Sequence, residues 1–233
     1  SESWGGFIFI NLDSHPSSFK DYIMNIQKQF QRYPLCDVVS SRSYKYKVSA
    51  NWKVIVENYN ECYHCAGVHP ELCNVVPAFK ENGADQLDWE NGIPHRPGAN
   101  TFTFSGKTDR EPFPGLNQSE KDNHFGQALY PNLMISLSMD HVAAFILRPI
   151  SPSLTEIDCR ILFHPNEINK SDFNPDDASE FWDLVNKQDW DICERVQKGM
   201  QSKAFEYGYY APMEDESLDI RKYIGKRLGV SFD

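Results

Sequence analysis

One run of the chain, Asn58-Tyr59-Asn60-Glu61-Cys62-Tyr63-His64-Cys65-Ala66-Gly67-Val68-His69-Pro70, is its densest collection of metal-capable and proton-transferring side chains. On a helix turning about 100° per residue, Glu61 and His64 lie roughly 60° apart and share a side. His69 would point about 140° away from His64 if the helix continued. Gly67 and Pro70 predict that it stops first, so that a turn can bring both imidazoles to one point. Three chemistries compete for this run. The first is a pair of histidines satisfied by ordinary hydrogen bonds. The second is a zinc site using Cys62-x2-Cys65 and a histidine, which lacks the second Cys pair or the downstream His pair of structural zinc spacing. The third is a non-haem iron site of two histidines and one carboxylate, which needs an acid from elsewhere in the chain.

Asp189 is such an acid, in an odd place. Phe181, Val185, Ile192, Cys193, Val196 and Met200 recur at helical spacing, and Asp189 falls on the same apolar stripe. Burying an unpaired carboxylate costs several kcal/mol or shifts its pKa, so Asp189 requires a metal, a cation or a hydrogen-bond donor as partner. A neighbouring Tyr or Arg would satisfy that requirement as a metal would. Asp191 is the contrast, lying about 200° round the helix with Lys187 four residues before and Arg195 four after. It reads as part of a solvated, salt-bridged face, as does Asp183 with Lys187 at i+4.

The elements that must hold these residues read as follows. A first helix is predicted from about Asn51 to Cys65 and a second from about Pro175 to Ser202, with Asp176 and Asp177 complementing its N-terminal dipole. Tyr44 to Val48 alternates as a half-buried strand, and Leu133–Leu137, His141–Ile150 and Thr155–Phe163 are β-rich runs separated by turn residues, an antiparallel meander. Trp4 to Ile10 reads as an apolar strand already inside a fold. Residues 80–125, rich in Gly, Pro, Asn and Asp, read as an irregular covering segment. Grouped strands with one long late helix predict an α+β layer, helix packed on antiparallel sheet.

Composition narrows the function. The 233 residues carry 23 basic and 33 acidic side chains, a net charge of −10, which argues against nucleic acid or an anionic membrane as partner. The longest apolar runs, such as Val142 to Leu147, fall far short of the roughly 18 residues a membrane helix needs. The 6 cysteines are too few for a disulfide scaffold, and with no signal peptide they predict a reducing, cytoplasmic setting. Phe102, Phe104, Phe113, Tyr207, Tyr209 and Tyr210 fall in segments able to cover a cavity, where aromatic faces suit either an arene or a quaternary ammonium.

Asn51-Trp52-Lys53-Val54-Ile55-Val56-Glu57-Asn58-Tyr59-Asn60-Glu61-Cys62-Tyr63-His64-Cys65, followed by His69-Pro70, resembles the iron-site signature of the catalytic domain of Rieske-type non-haem iron oxygenases. Trp4 to Asn11 resembles the family's entry into that domain, and Asp189 through Gly199 the segment bearing its third ligand. The resemblance implies a helix-grip fold, an antiparallel sheet wrapped around a long C-terminal helix with a cavity between them. It implies that His64, His69 and Asp189 hold Fe(II), that Asn58 lies beside the iron, and that Glu61 joins His64 to a cluster-ligand histidine of the neighbouring subunit in a homotrimer. Gln188 departs from the acid that many relatives carry immediately before the third ligand. The reaction implied is O2 activation with electrons from a 2Fe-2S cluster, fed by NAD(P)H through a reductase or ferredoxin, and oxidation of a small organic substrate. Glu61-Cys62-Tyr63-His64-Cys65 and Ala211 to Glu216 resemble the choline- and betaine-like branch more than the naphthalene type, implying hydroxylation or N-demethylation of a quaternary amine. Aromatic ring hydroxylation and a metal-free binding module of the same fold are the alternatives. A Rieske cluster needs Cys-x-His and later Cys-x2-His; Cys62-x-His64 meets only the first half, and no cysteine here has histidine three residues on. Together with an opening at Ser1, this predicts that residues 1–233 are an excised mononuclear iron domain whose cluster domain lies elsewhere.

Overall fold

The computed structural model describes residues 1–85 and 87–230. In chain order the strands and α-helices are β1 (Glu2–Trp4), β2 (Phe7–Phe9), α1 (Phe19–Gln29), β3 (Val39–Val48), α2 (Trp52–Tyr59), α3 (Cys65–Val68), α4 (Pro70–Val75), β4 (Ile93–Pro94), α5 (Gln118–Asp122), β5 (Asn123–Leu129), β6 (Leu133–Leu137), β7 (His141–Ser151), β8 (Leu154–Phe163), α6 (Pro165–Ile168), α7 (Asp176–Met200) and α8 (Asp215–Leu228). Six strands form one sheet in the order β3-β8-β7-β6-β5-β4, every neighbouring pair antiparallel. The meander is thus present, extended by β5 on one side and β3 on the other.

Two-residue periodicity sends alternate side chains of this sheet into different cores. Met134, Phe145, Leu147, Ile157, Cys159 and Ile161 pack with α2 and with Phe181, Trp182 and Val185 of α7. Leu133, Ile135, Leu137 and Val142 meet Phe30, Tyr33 and Phe113 on the opposite side. Covered on both faces, β6 is buried along its whole length, which is why it reads as a nearly unbroken apolar run.

Three expectations are corrected. The helix expected over residues 51–65 ends at Tyr59: Asn51 caps its start by accepting from the Lys53 amide, and Asn60 closes it. Trp4 to Ile10 is no internal strand but part of the small antiparallel hairpin β1-β2, with Gly5 and Gly6 at positive φ in the turn and Ile8 and Ile10 solvent-exposed. The long helix α7 is followed by α8, so the last helix of the chain is the shorter one, docked on α2 through Ser217 to the Glu57 carbonyl and Arg221 to the Glu57 carboxylate.

Among the described residues no helix is long and apolar enough to cross a membrane.

Candidate metal centre and cavity

Four short pieces of chain bring the chemistry together. Asn58 leaves the last turn of α2. Glu61 and His64 stand in the turn that follows, where the His64 amide donates to Glu61 Oε2 at 3.2 Å. His69 falls between α3 and α4, held out of helical geometry at φ −121° and ψ 69°, as the residue before a proline is steered. Gln188 and Asp189 come from the middle of α7. The turn, not a shared helical face, therefore aligns Glu61 with His64.

The histidine tautomers follow from their partners. His64 Nδ1 lies 2.5 Å from Glu61 Oε1, and a carboxylate only accepts, so Nδ1 carries the proton. Gln188 Nε2 donates to Glu71 Oε2 at 3.1 Å, which turns the amide oxygen toward His69 Nδ1 at 2.8 Å. His69 is thereby protonated on Nδ1 as well. Each histidine then presents a bare Nε2 to the same small space. Those two nitrogens are 3.2 Å apart, and Asp189 Oδ1 lies 2.8 Å from His69 Nε2 and 3.3 Å from His64 Nε2.

Two lone pairs and a carboxylate in such proximity repel unless a cation stands between them. One neutral donor approaches, the Asn58 amide at 3.1 Å from His64 Nε2. With a proton as the only cation, burial opposes a charged His64, yet its bonds to Asp189, Cys65 and Glu61 prevail and push its pKa up to about 12. Burial likewise opposes an ionised Asp189, and His64 and His69 outweigh it, holding the carboxyl below its ordinary range. The site thus demands positive charge. Three ligands roughly 2.1 Å from a common ion at right angles stand about 3.0 Å from one another, close to the separations seen. The donor set fits a facial site of two imidazoles and one carboxylate. Cys65 Sγ is more remote, at 4.0 Å from His64 Nε2. Burial pushes the Cys62 and Cys65 thiols up, the reverse of what a thiolate ligand needs.

Of the singled-out residues, Asn58, Glu61, His64, His69 and Asp189 all line one cavity of about 490 Å³. Asp191 pairs with Arg195 at 2.7 Å and Asp183 with Lys187 at 2.6 Å, both on the outer side of α7. Val196, expected on the apolar stripe, is exposed. Of the aromatic side chains expected to cover the cavity, Phe102 alone lines it; Phe113 belongs to the other core, and Phe104, Tyr207 and Tyr209 are exposed. The wall is instead Tyr59, Phe79, Trp89, Phe102, His124 and Trp182. Phe79 stacks on Trp89, and Phe102 meets Trp182 edge to face. Trp182 is fixed from behind: its indole N–H donates to His141 Nε2 at 2.9 Å, and His141 Nδ1 faces Asp140 at 3.0 Å. None of these wall residues other than Phe102 was singled out from the sequence, because no periodicity marks them.

An antiparallel sheet packed against a long helix, with two histidines and a carboxylate converging in an aromatic cavity, defines a mononuclear metal domain of mixed α and β structure. Residues 35–228 match the family model described as the ring hydroxylating alpha subunit, catalytic domain. The chain belongs to that family, the catalytic part of Rieske non-haem iron oxygenases. It is 26% identical over 237 residues to the glycine betaine monooxygenase oxygenase subunit of Chromohalobacter salexigens, covering 89% of this chain and 53% of that protein. It is 26% identical over 213 residues to the carnitine monooxygenase oxygenase subunit of Escherichia coli, covering 88% of this chain and 52% of the relative. A solved quaternary ammonium Rieske monooxygenase, described for carnitine oxidation and inter-subunit electron transfer, superposes with a TM-score of 0.73 at 20% identity, covering 97% of this chain and 60% of that one. Naphthalene 1,2-dioxygenase from Rhodococcus gives a TM-score of 0.58 at 14% identity, covering 97% and 65%. The chain spans about half the length of the curated relatives it matches.

Proposed function

We propose that this chain is the oxygenase domain of a Rieske monooxygenase that hydroxylates or N-demethylates a small quaternary amine. The observation that carries the reading is the convergence of His64 Nε2, His69 Nε2 and Asp189 Oδ1, within 2.8 to 3.3 Å of one another, on the wall of an aromatic cavity. Fe(II) bound there supplies the reductive activation of O2. The protein's own residues do the rest. Glu61 and Gln188 keep the Nδ1 protons on His64 and His69 and aim both Nε2 atoms inward. Asn58 stands beside His64 as a donor that does not ligate. Phe79, Trp89, Phe102 and Trp182 exclude water and offer aromatic faces to a methylated cation, each good contact contributing about 0.5 to 2 kcal/mol.

On this reading the sheet grips α7 in the helix-grip manner. The electrons come from a 2Fe-2S cluster outside residues 1–233, reduced by NAD(P)H through a reductase or ferredoxin. The full-length enzyme is a cytoplasmic homotrimer in which Glu61 links His64 to the neighbouring cluster. The amine-oxidising relatives support the choice of substrate over an arene. The test is oxygen uptake by the full-length enzyme with methylated amines and with arenes. Uptake coupled to product from an amine is the result expected; uptake with arenes alone overturns the reading.

A further inference from the structure

The cavity has a polar corner that neither the metal site nor the aromatic wall accounts for. It lies over Gly126 of β5, where a Cβ would stand 3.2 Å from Tyr59 Oη, 3.4 Å from Trp89 and 3.6 Å from His124 Nε2. The missing side chain leaves room for one small group. Tyr59 spends its single proton on the Ile135 carbonyl at 2.8 Å, so the Ser136 hydroxyl is the donor in their 2.9 Å contact. The Ser136 oxygen keeps lone pairs, and so does Tyr59 Oη. His124 is 4% exposed, and its Nδ1 is buried without a hydrogen-bond partner. Burial, with His95 and His141 nearby, holds its pKa well below the usual histidine range against the Leu137 carbonyl, so the ring is neutral. Among the described residues no lysine or arginine lines the cavity.

We propose that the corner bounded by Tyr59, Gly126, Ser136 and His124 is a hydroxyl subsite, and that the substrate is a methylated amino alcohol rather than a carboxylated betaine. This rests on the amine reading above and narrows it. A hydroxyl brings a proton, which the Ser136 and Tyr59 oxygens and a bare imidazole nitrogen can accept. A carboxylate brings only acceptor oxygens and a negative charge, which would meet lone pairs and no cationic side chain in a dry pocket. The ring centroid of His124 is 4.4 Å from that of Phe102, so the polar corner adjoins the aromatic faces that would receive the ammonium end.

Anaerobic titration calorimetry on the iron-loaded holoenzyme tests this with choline, glycine betaine, tetramethylammonium and the carbon isostere of choline, in which carbon replaces nitrogen. Choline is expected to bind about tenfold or more tighter than glycine betaine and than tetramethylammonium. Gly126→Ala, which fills the corner, and Ser136→Ala, which removes its hydroxyl, should each erase the preference for choline over tetramethylammonium while iron content and thermal midpoint hold. Glycine betaine binding as tightly as choline, or a preference that survives both substitutions, overturns the subsite. Equal binding of choline and its carbon isostere overturns the amine reading and leaves the hydroxyl subsite standing, whereas binding of naphthalene alone overturns both.

Discussion

The Nε2 atoms of His64 and His69 face each other at 3.2 Å, each held bare by an acceptor on the far side of its ring. Such an arrangement is costly for apoprotein and favourable around a cation. It makes the contribution of Asp189 testable against a control on the same helix. Asp189→Ala should lose most of the bound iron, because two neutral imidazoles then remain without the carboxylate that neutralises charge. Asp191→Ala, which breaks only an exposed pair with Arg195, should keep it. Metal analysis of both purified variants decides, and equal iron in the two would refute the ligand assignment.

Glu61 touches His64 twice, at the ring and at the backbone amide, yet it does not reach the point where the three ligand atoms converge. Glu61→Gln retains an oxygen able to accept from Nδ1, so the tautomer and most of the iron should survive. The negative charge and the link to a neighbouring electron donor do not. Full-length trimers carrying the substitution should therefore bind iron and lose most turnover, read by metal content alongside product formation. Iron loss as complete as in His64→Ala would show that Glu61 is itself a ligand.

The parts of this molecule that repeat at a fixed period were legible in the sequence. The stripe from Phe181 to Met200 located α7 within a few residues of its ends, and its one misplaced carboxylate pointed to Asp189. The runs at Leu133, His141 and Thr155 located three strands. What was not legible depends on contacts distant in sequence. Phe79, Trp89 and His124 sit in or beside an aperiodic stretch, and only folding brings them to one wall. Likewise, nothing near Gln188 announces that Glu71 orients its amide, since those residues are 117 positions apart. The end of α2 at Tyr59 was missed because Asn60 and the Glu61 to His64 turn give a weaker stop signal than Gly67 and Pro70.

A buried charge network behind the cavity makes a stability prediction. Asp140 is fully buried and bonded by Arg110 Nε at 2.8 Å, while the same guanidinium reaches Asp177 at 2.7 Å and the Asn174 carbonyl at 2.7 Å. Burial opposes an ionised Asp140, but His141, Arg110 and Thr101 hold its carboxyl well below the ordinary range. Because the folded-state value is depressed, this group stabilises the fold above its unfolded pKa of about 4, and the contribution disappears only as pH falls through the depressed range. Arg110→Met should cost about 3 to 5 kcal/mol by leaving the buried carboxylate without its strongest cation, and should move the acid-induced loss to higher pH. Urea denaturation across acidic to neutral pH measures both effects. A change below about 1 kcal/mol, the scale of an exposed ion pair, would show that the network contributes little.

The last prediction concerns the supply of electrons. Turnover with O2 requires reducing equivalents at the metal, and His64, the only histidine two residues after a cysteine, is committed to the cavity wall. No cysteine in the chain is followed by histidine at the third position, so the Cys-x-His and Cys-x2-His ligand pairs of a Rieske cluster cannot both be made. The sequence also lacks the Gly-x-Gly-x-x-Gly nucleotide fingerprint. The 233 residues, loaded with iron and mixed with reductase, NAD(P)H and a methylated amine, should therefore bind substrate but not sustain its oxidation. The full-length enzyme under the same conditions should do so. Continuous product formation by the isolated chain, followed by mass spectrometry over many equivalents, would mean that electrons enter without a cluster, and the two-centre reading would fall.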